Sequence, residues 1–340
     1  MGQRVVLHVG TMKSGTSYLQ SLLFANQDAL AGRGVLVPGQ TWSDQVRAVQ
    51  DVLGLGSART GDISGYWDRL VAQTRAHDGT SVVSMEFLGP AAPQAIKGIA
   101  GAWDDVTVVL TVRDLNRQLA SMWQETVQNG RTWTFADYLS SARDGRPHAE
   151  RRPEDVTTAG RTFWRQQNIV RLCRNWSVTG ARVLVLTVPP PGAPRGLLGD
   201  RFLSVVGTTA EGLVAAPAGN ESIGAASSMV LRRVNELLDG AGLAFPQGQH
   251  LRKEVLAKKL MAGRKASEPA IGLPVTPWVG SHAATMVSRL QALGVGLVGE
   301  WSDLDPVDVE GADPASISEA EVTEAATAAL AGLLAEQVRR

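Results

Sequence analysis

Four short runs along the chain are almost wholly apolar: Arg4–Val9, Ser81–Met85, Val106–Val112 and Arg182–Val188. All are rich in valine, and none alternates cleanly with polar residues. A strand with one solvated face alternates, whereas a strand covered on both faces does not. The four runs therefore predict buried parallel strands. Helical spacing lies between them. Tyr18, Leu19, Leu22 and Leu23 follow the first run, and Leu115, Leu119, Met122 and Trp123 follow the third. Ile169, Leu172, Cys173 and Trp176 precede the fourth. Strand alternating with helix predicts an α/β fold of three layers, a parallel sheet flanked by helices on both faces.

The second half is more helical. Apolar helical patterns occupy Ser228–Leu238 and Ala283–Leu293. A last helix is expected over Ser318–Glu336, where Ser318 and Glu321 have capping-box spacing. Three stretches read as loops. Asp144–Gly160 is polar, with Pro147 and Pro153, and holds His148, Arg151 and Arg152 just before Arg161. Pro189-Pro190-Pro191-Gly192 closes the fourth strand, because proline cannot continue a ladder. Glu268–Gly280 carries three prolines and two glycines. These breaks do not separate regions of different composition. The expectation is one domain over residues 1–340, with helical additions after residue 190.

Composition narrows the chemistry. With 340 residues, 44% of them hydrophobic, the chain can bury a substantial core. The formal net charge is zero, which gives no support to nucleic-acid or membrane-surface partners. Any anion site must then be local. The single cysteine, Cys173, excludes an intrachain disulfide and a zinc site of several thiolates. It reads as a small buried hydrophobe. His77, His250 and His282 are given no role, and no His pair at i, i+4 encloses a Glu, so a zinc hydrolase is unsupported. No signal-peptide pattern opens the chain, and no apolar run reaches the roughly 18–20 residues that span a bilayer. A cytoplasmic protein is expected. Arginine in excess of lysine, with abundant alanine and glycine, suggests a GC-rich bacterial genome.

The most informative segment is Gly10-Thr11-Met12-Lys13-Ser14-Gly15-Thr16-Ser17, between the first strand and the first helix. A Gly-rich turn there aims free backbone N–H groups at one point, on the positive end of a helix. Lys13 adds a mobile charge, and Ser14, Thr16 and Ser17 add hydroxyls. The nucleoside-triphosphate loop places its Lys directly after the second Gly. Here Thr16 follows Gly15 and the Lys comes two places before it, so Lys13 suits the bridging oxygen of a shorter anhydride.

A second anion site is expected after the third run. Arg113 ends that strand, and Ser121 lies eight residues on, about two helical turns into the next helix. The guanidinium fork suits phosphate. Together the two motifs resemble those of sulfotransferases that use 3′-phosphoadenosine 5′-phosphosulfate (PAPS), in particular the bacterial branch. The resemblance covers most of residues 4–190 by order of elements. It implies a phosphate-loop sulfotransferase fold related to the P-loop NTPases, PAPS as donor co-substrate without a metal, and a small-molecule acceptor. It further implies that Lys13 contacts the bridging oxygen, that Ser14, Gly15, Thr16 and Ser17 hold the 5′-phosphate, and that Arg113 and Ser121 hold the 3′-phosphate.

Sulfuryl transfer also needs a base. Glu86, the lone acid at the end of the second run, stands where the carboxyl edge of the sheet is expected, among apolar neighbours that favour a proton acceptor. Many sulfotransferases carry His at that strand end, whereas bacterial relatives often have Ser-x-Glu, as in Ser84-Met85-Glu86. His8 is the competing base. Trp164 and Arg165 read either as an adenine platform or as packing. Gln124 and Glu125 read as acceptor contacts or as helix packing and a solvated face, and Asn220-Glu221-Ser222 as a family motif or a helix cap. Two other functions stay open: a kinase or NTPase of the related phosphate-loop fold, and a non-catalytic nucleotide-binding module.

Overall fold

The computed structural model describes residues 3–56, 61–147, 157–216, 222–243 and 248–338. Its centre is an all-parallel sheet of six strands: β1 (Arg4–His8), β2 (Val35–Leu36), β3 (Thr80–Ser84), β4 (Val106–Val112), β5 (Arg182–Thr187) and β6 (Gly296–Val298). The spatial order is β2-β3-β1-β4-β5-β6. The four valine-rich runs are β1, β3, β4 and β5. The two edge strands, of two and three residues, are too short to carry a pattern. The helices are α1 (Thr16–Ala25), α2 (Gln27–Ala31), α3 (Trp42–Val52), α4 (Tyr66–Arg75), α5 (Pro93–Ala100), α6 (Leu115–Gln128), α7 (Phe135–Asp144), α8 (Thr158–Gln167), α9 (Ile169–Ser177), α10 (Leu197–Val206), α11 (Ala225–Gly240), α12 (Pro277–Ala292) and α13 (Glu319–Val338). A π-helical segment covers Leu251–Met261.

Contacts divide the chain into two units. The first comprises Met1–Asp114, Arg165–Gly219 and His282–Asp305, and it holds the whole sheet. Alternation along the strands builds two cores in this unit. Val5, Leu7, Val83, Val108 and Leu110 face α3, α4, α5 and α9. Val6, Val82, Val109, Leu184 and Leu186 face α1 and α10. All seven residues of β4 are buried, as a strand covered on both faces requires. Burying each Val or Leu side chain contributes roughly 1.5–3 kcal/mol, so these strands anchor the unit. Cys173 is wholly buried on α9, as its apolar setting predicts.

The second unit comprises Leu115–Trp164, Asn220–Ser281 and Pro306–Arg340. It is helical, with α11 packed on α6 and α13. Trp123 is buried there beside Phe135, ring centroids 5.0 Å apart, and its indole N–H donates to the Trp133 carbonyl at 3.0 Å. Two isolated bridges, Ile271 with Ala312 and Leu273 with Val309, join its loops.

Several expectations about the second half are corrected. Of the Glu268–Gly280 loop, the last four residues are helix: α12 begins at Pro277, because proline suits a first helical position. Asp144 closes α7, and Thr158–Gly160 already belong to α8. His148, Arg151 and Arg152 lie outside the described residues, as do Asn220 and Glu221. Ser222 is not a cap. The residue before α11 is Gly224, and Glu268 accepts from the Ser227 amide at 2.8 Å in the first turn of α11. The Ser318 box forms as read, with Ser318 donating its amide to Glu321 at 2.9 Å and accepting from the Glu321 amide at 3.3 Å. Among the described residues, no helix is long and apolar enough to cross a membrane.

Candidate functional site

Between the end of β1 and the start of α1 the chain turns through three left-handed residues: Gly10 (φ 107°), Lys13 (φ 62°) and Gly15 (φ 83°). Among the described residues Lys13 is the one non-glycine with positive φ. A side chain in that region costs roughly 1–3 kcal/mol and persists only where its surroundings impose it. Thr111 on β4 does much of that work. The Thr11 amide donates to the Thr111 carbonyl at 2.9 Å, and the Thr111 hydroxyl donates to the Gly10 carbonyl at 3.0 Å. Ser14 Oγ lies 2.8 Å from Thr111 Oγ1 and donates to the Thr111 carbonyl at 2.9 Å. The Ser14 hydroxyl therefore faces the sheet, wholly buried, and what Ser14 can offer a ligand is its backbone.

Close packing explains the glycines. A Cβ on Gly10 would stand 3.0 Å from the Glu86 Cβ, and one on Gly15 would overlap the Leu198 side chain of α10. Gly15 precedes α1 without any side-chain cap, and the first turn of α1 contains no acidic residue. The first amides of a helix have no intrahelical acceptor, and the helix dipole adds positive potential at the same point. Thr16 is buried and Ser17 exposed in that first turn. A turn with left-handed residues feeding an uncapped helix start, with Lys13 in its middle, has the properties of an anion cradle.

Glu86 begins a one-turn 3-10 helix, Glu86–Leu88, after β3. The parallel register sets His8 opposite Ser84, so the chain leaving β3 runs beside the loop leaving β1. Glu86 is half-buried, and its Oε2 accepts from Gln20 Nε2 of α1 at 3.0 Å. The same Gln20 amide reaches the Ser84 carbonyl at 3.3 Å. Arg113, half-buried, follows β4 directly. The strand order puts β1 between β3 and β4, so Glu86, the loop and Arg113 all leave one edge of the sheet. From β1 the chain passes to β2 and β3 on one side and then to β4 on the other. Ligands of open α/β sheets bind outside the carboxyl ends at such a switch. Ser121, half-buried on α6, belongs to the second unit.

His8 occupies a different environment from the one a base requires. Its Nδ1 lies 2.8 Å from Ser84 Oγ and its Nε2 3.2 Å from Thr111 Oγ1. The ring is wholly buried, 5.2 Å from that of Phe202. Burial pushes its pKa down to about 3, so the imidazole is neutral with both nitrogens engaged. It ties β3, β1 and β4 together, and of the two bases read from the sequence only Glu86 reaches the sheet edge beside the loop.

The remaining sequence readings resolve into packing. Trp164 is buried, its indole donating to the Ala142 carbonyl at 2.7 Å and its ring 4.8 Å from that of Phe163. Gln124 donates to the Ile223 carbonyl at 2.6 Å. Glu125 is buried rather than solvated, paired with Lys253 at 2.5 Å and accepting from Asn129 at 2.9 Å. Burial raises the Cys173 thiol to about 12, which makes it a poor nucleophile. Sequence reading missed Gln20 and Thr111, the residues that position Glu86 and the loop. A buried Gln on an apolar helix face and a Thr near the end of an apolar strand were the available signals. Among the described residues, no group of three or more His, Cys, Asp or Glu is placed to hold a metal ion.

Comparison of the chain with protein-family models, with curated proteins and with solved structures yields no match.

Proposed function

We propose that this chain is a PAPS-dependent sulfotransferase that transfers a sulfuryl group to a hydroxyl or amine of a small acceptor. One observation carries the reading: an anion cradle with a lysine in its turn and a carboxylate against its first glycine share the carboxyl edge of a parallel sheet, at its switch point. In this reading Lys13 and the backbone of Ser14, Gly15, Thr16 and Ser17 take the 5′-phosphosulfate. Arg113 and Ser121, from their spacing, read the 3′-phosphate. The donor supplies an activated sulfuryl group whose S–O bond to phosphate breaks as the acceptor's O–S or N–S bond forms. Glu86 takes the acceptor's proton. Gln20 occupies Oε2, which leaves Oε1 as the oxygen offered to that proton. Lys13 neutralises the charge that collects on the departing phosphate oxygen.

Thermal unfolding in the presence of 3′-phosphoadenosine 5′-phosphate, ADP and ATP tests the proposal. A ligand that binds only the folded state at about a hundred times its Kd adds about 2.7 kcal/mol of stability. The first nucleotide is expected to raise Tm well above the other two, and sulfuryl transfer from PAPS is expected to survive chelation of divalent cations. A larger shift with ATP and magnesium would instead favour a kinase or NTPase. A selective shift without transfer to any acceptor would leave a nucleotide-binding module.

A further inference from the structure

Beneath the turn that leaves β1, three neighbouring strands each contribute one wholly buried polar side chain: Ser84 of β3, His8 of β1 and Thr111 of β4. Because β1 lies between β3 and β4, the side chain of its last residue can bridge both neighbours. The contacts run in one line. Ser84 Oγ lies 2.8 Å from His8 Nδ1, His8 Nε2 lies 3.2 Å from Thr111 Oγ1, and Thr111 Oγ1 lies 3.0 Å from the Gly10 carbonyl oxygen. The last of these atoms belongs to the first glycine of the turn and can only accept. Ser14 has an acceptor of its own in the Thr111 carbonyl at 2.9 Å, so its hydrogen does not need the Thr111 hydroxyl.

A neutral imidazole carries one N–H and one acceptor nitrogen, which allows two proton arrangements. With the proton on Nδ1, the ring donates to Ser84, and the Thr111 hydroxyl has to turn towards Nε2. The Gly10 carbonyl then loses that hydroxyl. The Ser84 hydrogen is also left without an acceptor, since among the described residues its Oγ has no partner other than His8. With the proton on Nε2, each hydrogen finds an acceptor: Ser84 donates to Nδ1, Nε2–H donates to Thr111, and Thr111 donates to Gly10. Leaving a buried donor unpaired costs its full desolvation penalty, which decides for the second arrangement. We propose that His8 is a positioning residue for the anion cradle: its Nε2–H occupies the Thr111 hydroxyl oxygen and commits that hydroxyl's proton to the Gly10 carbonyl. The role at the cradle rests on the donor-binding reading of the Gly10–Ser17 turn; the direction of the proton chain does not.

The first measurement is 15N NMR of the histidine rings in the unaltered protein, with His8 assigned through His8→Gln. The pyrrole-like nitrogen of His8 is expected to correlate strongly with both ring carbon-bound protons, the signature of Nε2–H. The second compares variants. Thr111→Val lacks the hydroxyl and His8→Phe lacks the ring donor. Both should shift the same backbone amide resonances over residues 10–15, and both should weaken binding of 3′-phosphoadenosine 5′-phosphate about tenfold, the worth of one well-made hydrogen bond. Thr111→Ser restores the hydroxyl, and His8→Gln restores a side-chain N–H, so each should recover most of that affinity. An Nδ1–H ring in the unaltered protein would overturn the proposal even if no variant folds. So would folded Thr111→Val and His8→Phe proteins whose turn resonances stay in place, or nucleotide affinity that Thr111→Ser fails to restore. Failure of the unaltered protein to bind the nucleotide would overturn the donor reading alone, because the tautomer and the turn resonances are read without ligand.

Discussion

Gln20 donates its side-chain amide to Glu86 Oε2 at 3.0 Å, joining the helix that follows the Gly10–Gly15 turn to the end of β3. The base proposed here is thus held by the same helix whose start is proposed to hold the donor. Glu86→Gln keeps the shape but removes the proton acceptor. Turnover should fall by roughly 10²–10⁴-fold while affinity for 3′-phosphoadenosine 5′-phosphate stays close to that of the unaltered protein. A Glu86→Gln protein with near-normal transfer would remove Glu86 from the mechanism.

Lys13 combines a charge with a left-handed backbone, and two substitutions separate these roles. Lys13→Ala should cost transition-state stabilisation of about 3–4 kcal/mol, read as a loss of kcat. Lys13→Gly should lose the same activity yet be the more stable of the two, because glycine adopts positive φ without steric penalty. Chemical denaturation of both variants, beside their kcat at saturating donor, checks this. Equal turnover in either variant and the unaltered protein would show that the ammonium takes no part.

Gly15 has both a positive φ and the Leu198 side chain against it. Gly15→Ala should destabilise the fold by roughly 1–3 kcal/mol. Adding Leu198→Ala removes the overlap but not the backbone strain, so the coupling in a double-mutant cycle should be favourable and incomplete. Strict additivity would mean that the steric contact contributes nothing.

Arg113→Ala and Ser121→Ala should both weaken 3′-phosphoadenosine 5′-phosphate, with the larger effect at Arg113, since charge-assisted bonds are the stronger class. Binding of the analogue without a 3′-phosphate should hardly change. Titration calorimetry with the two nucleotides decides the matter, and equal weakening of both would assign these residues to the fold.

His8 predicts an acid sensitivity. Its folded pKa, about 3, lies below the ordinary 6.5, so the unfolded chain binds the extra proton. Its contribution is fully present above about 6.5 and is lost as pH falls towards about 3. The urea midpoint should therefore drop more steeply through that window for the unaltered protein than for His8→Gln. Parallel curves for the two proteins would show that His8 is not buried in its neutral form.

Much of the sheet was legible in the chain itself. Valine-rich runs such as Val106–Val112 announce burial on both faces because side-chain alternation is a local property. The Gly10–Gly15 turn was legible for the same reason: glycine spacing and a lone lysine are read residue by residue. The Ser318 cap depends on a residue three places away, and it too could be read. The same local spacing stands in Thr41 and Asp44, which cap α3. The edge strands β2 and β6 left no trace, since two or three residues have no periodicity. What only the tertiary structure decided is where the polar groups point. Ser14 turns to Thr111, 97 positions away in the chain, and His8 turns to Ser84 and Thr111. Gln20 finds Glu86 across 66 positions, and Asn116 spends its amide nitrogen on carbonyls 157 and 191 positions distant. Propensity and pattern act over one or two turns of chain, whereas the partner of a buried polar group is chosen by strand order and register. The residue types of the candidate site were therefore visible in the sequence, and which of their side chains turn inward to hold the fold was not.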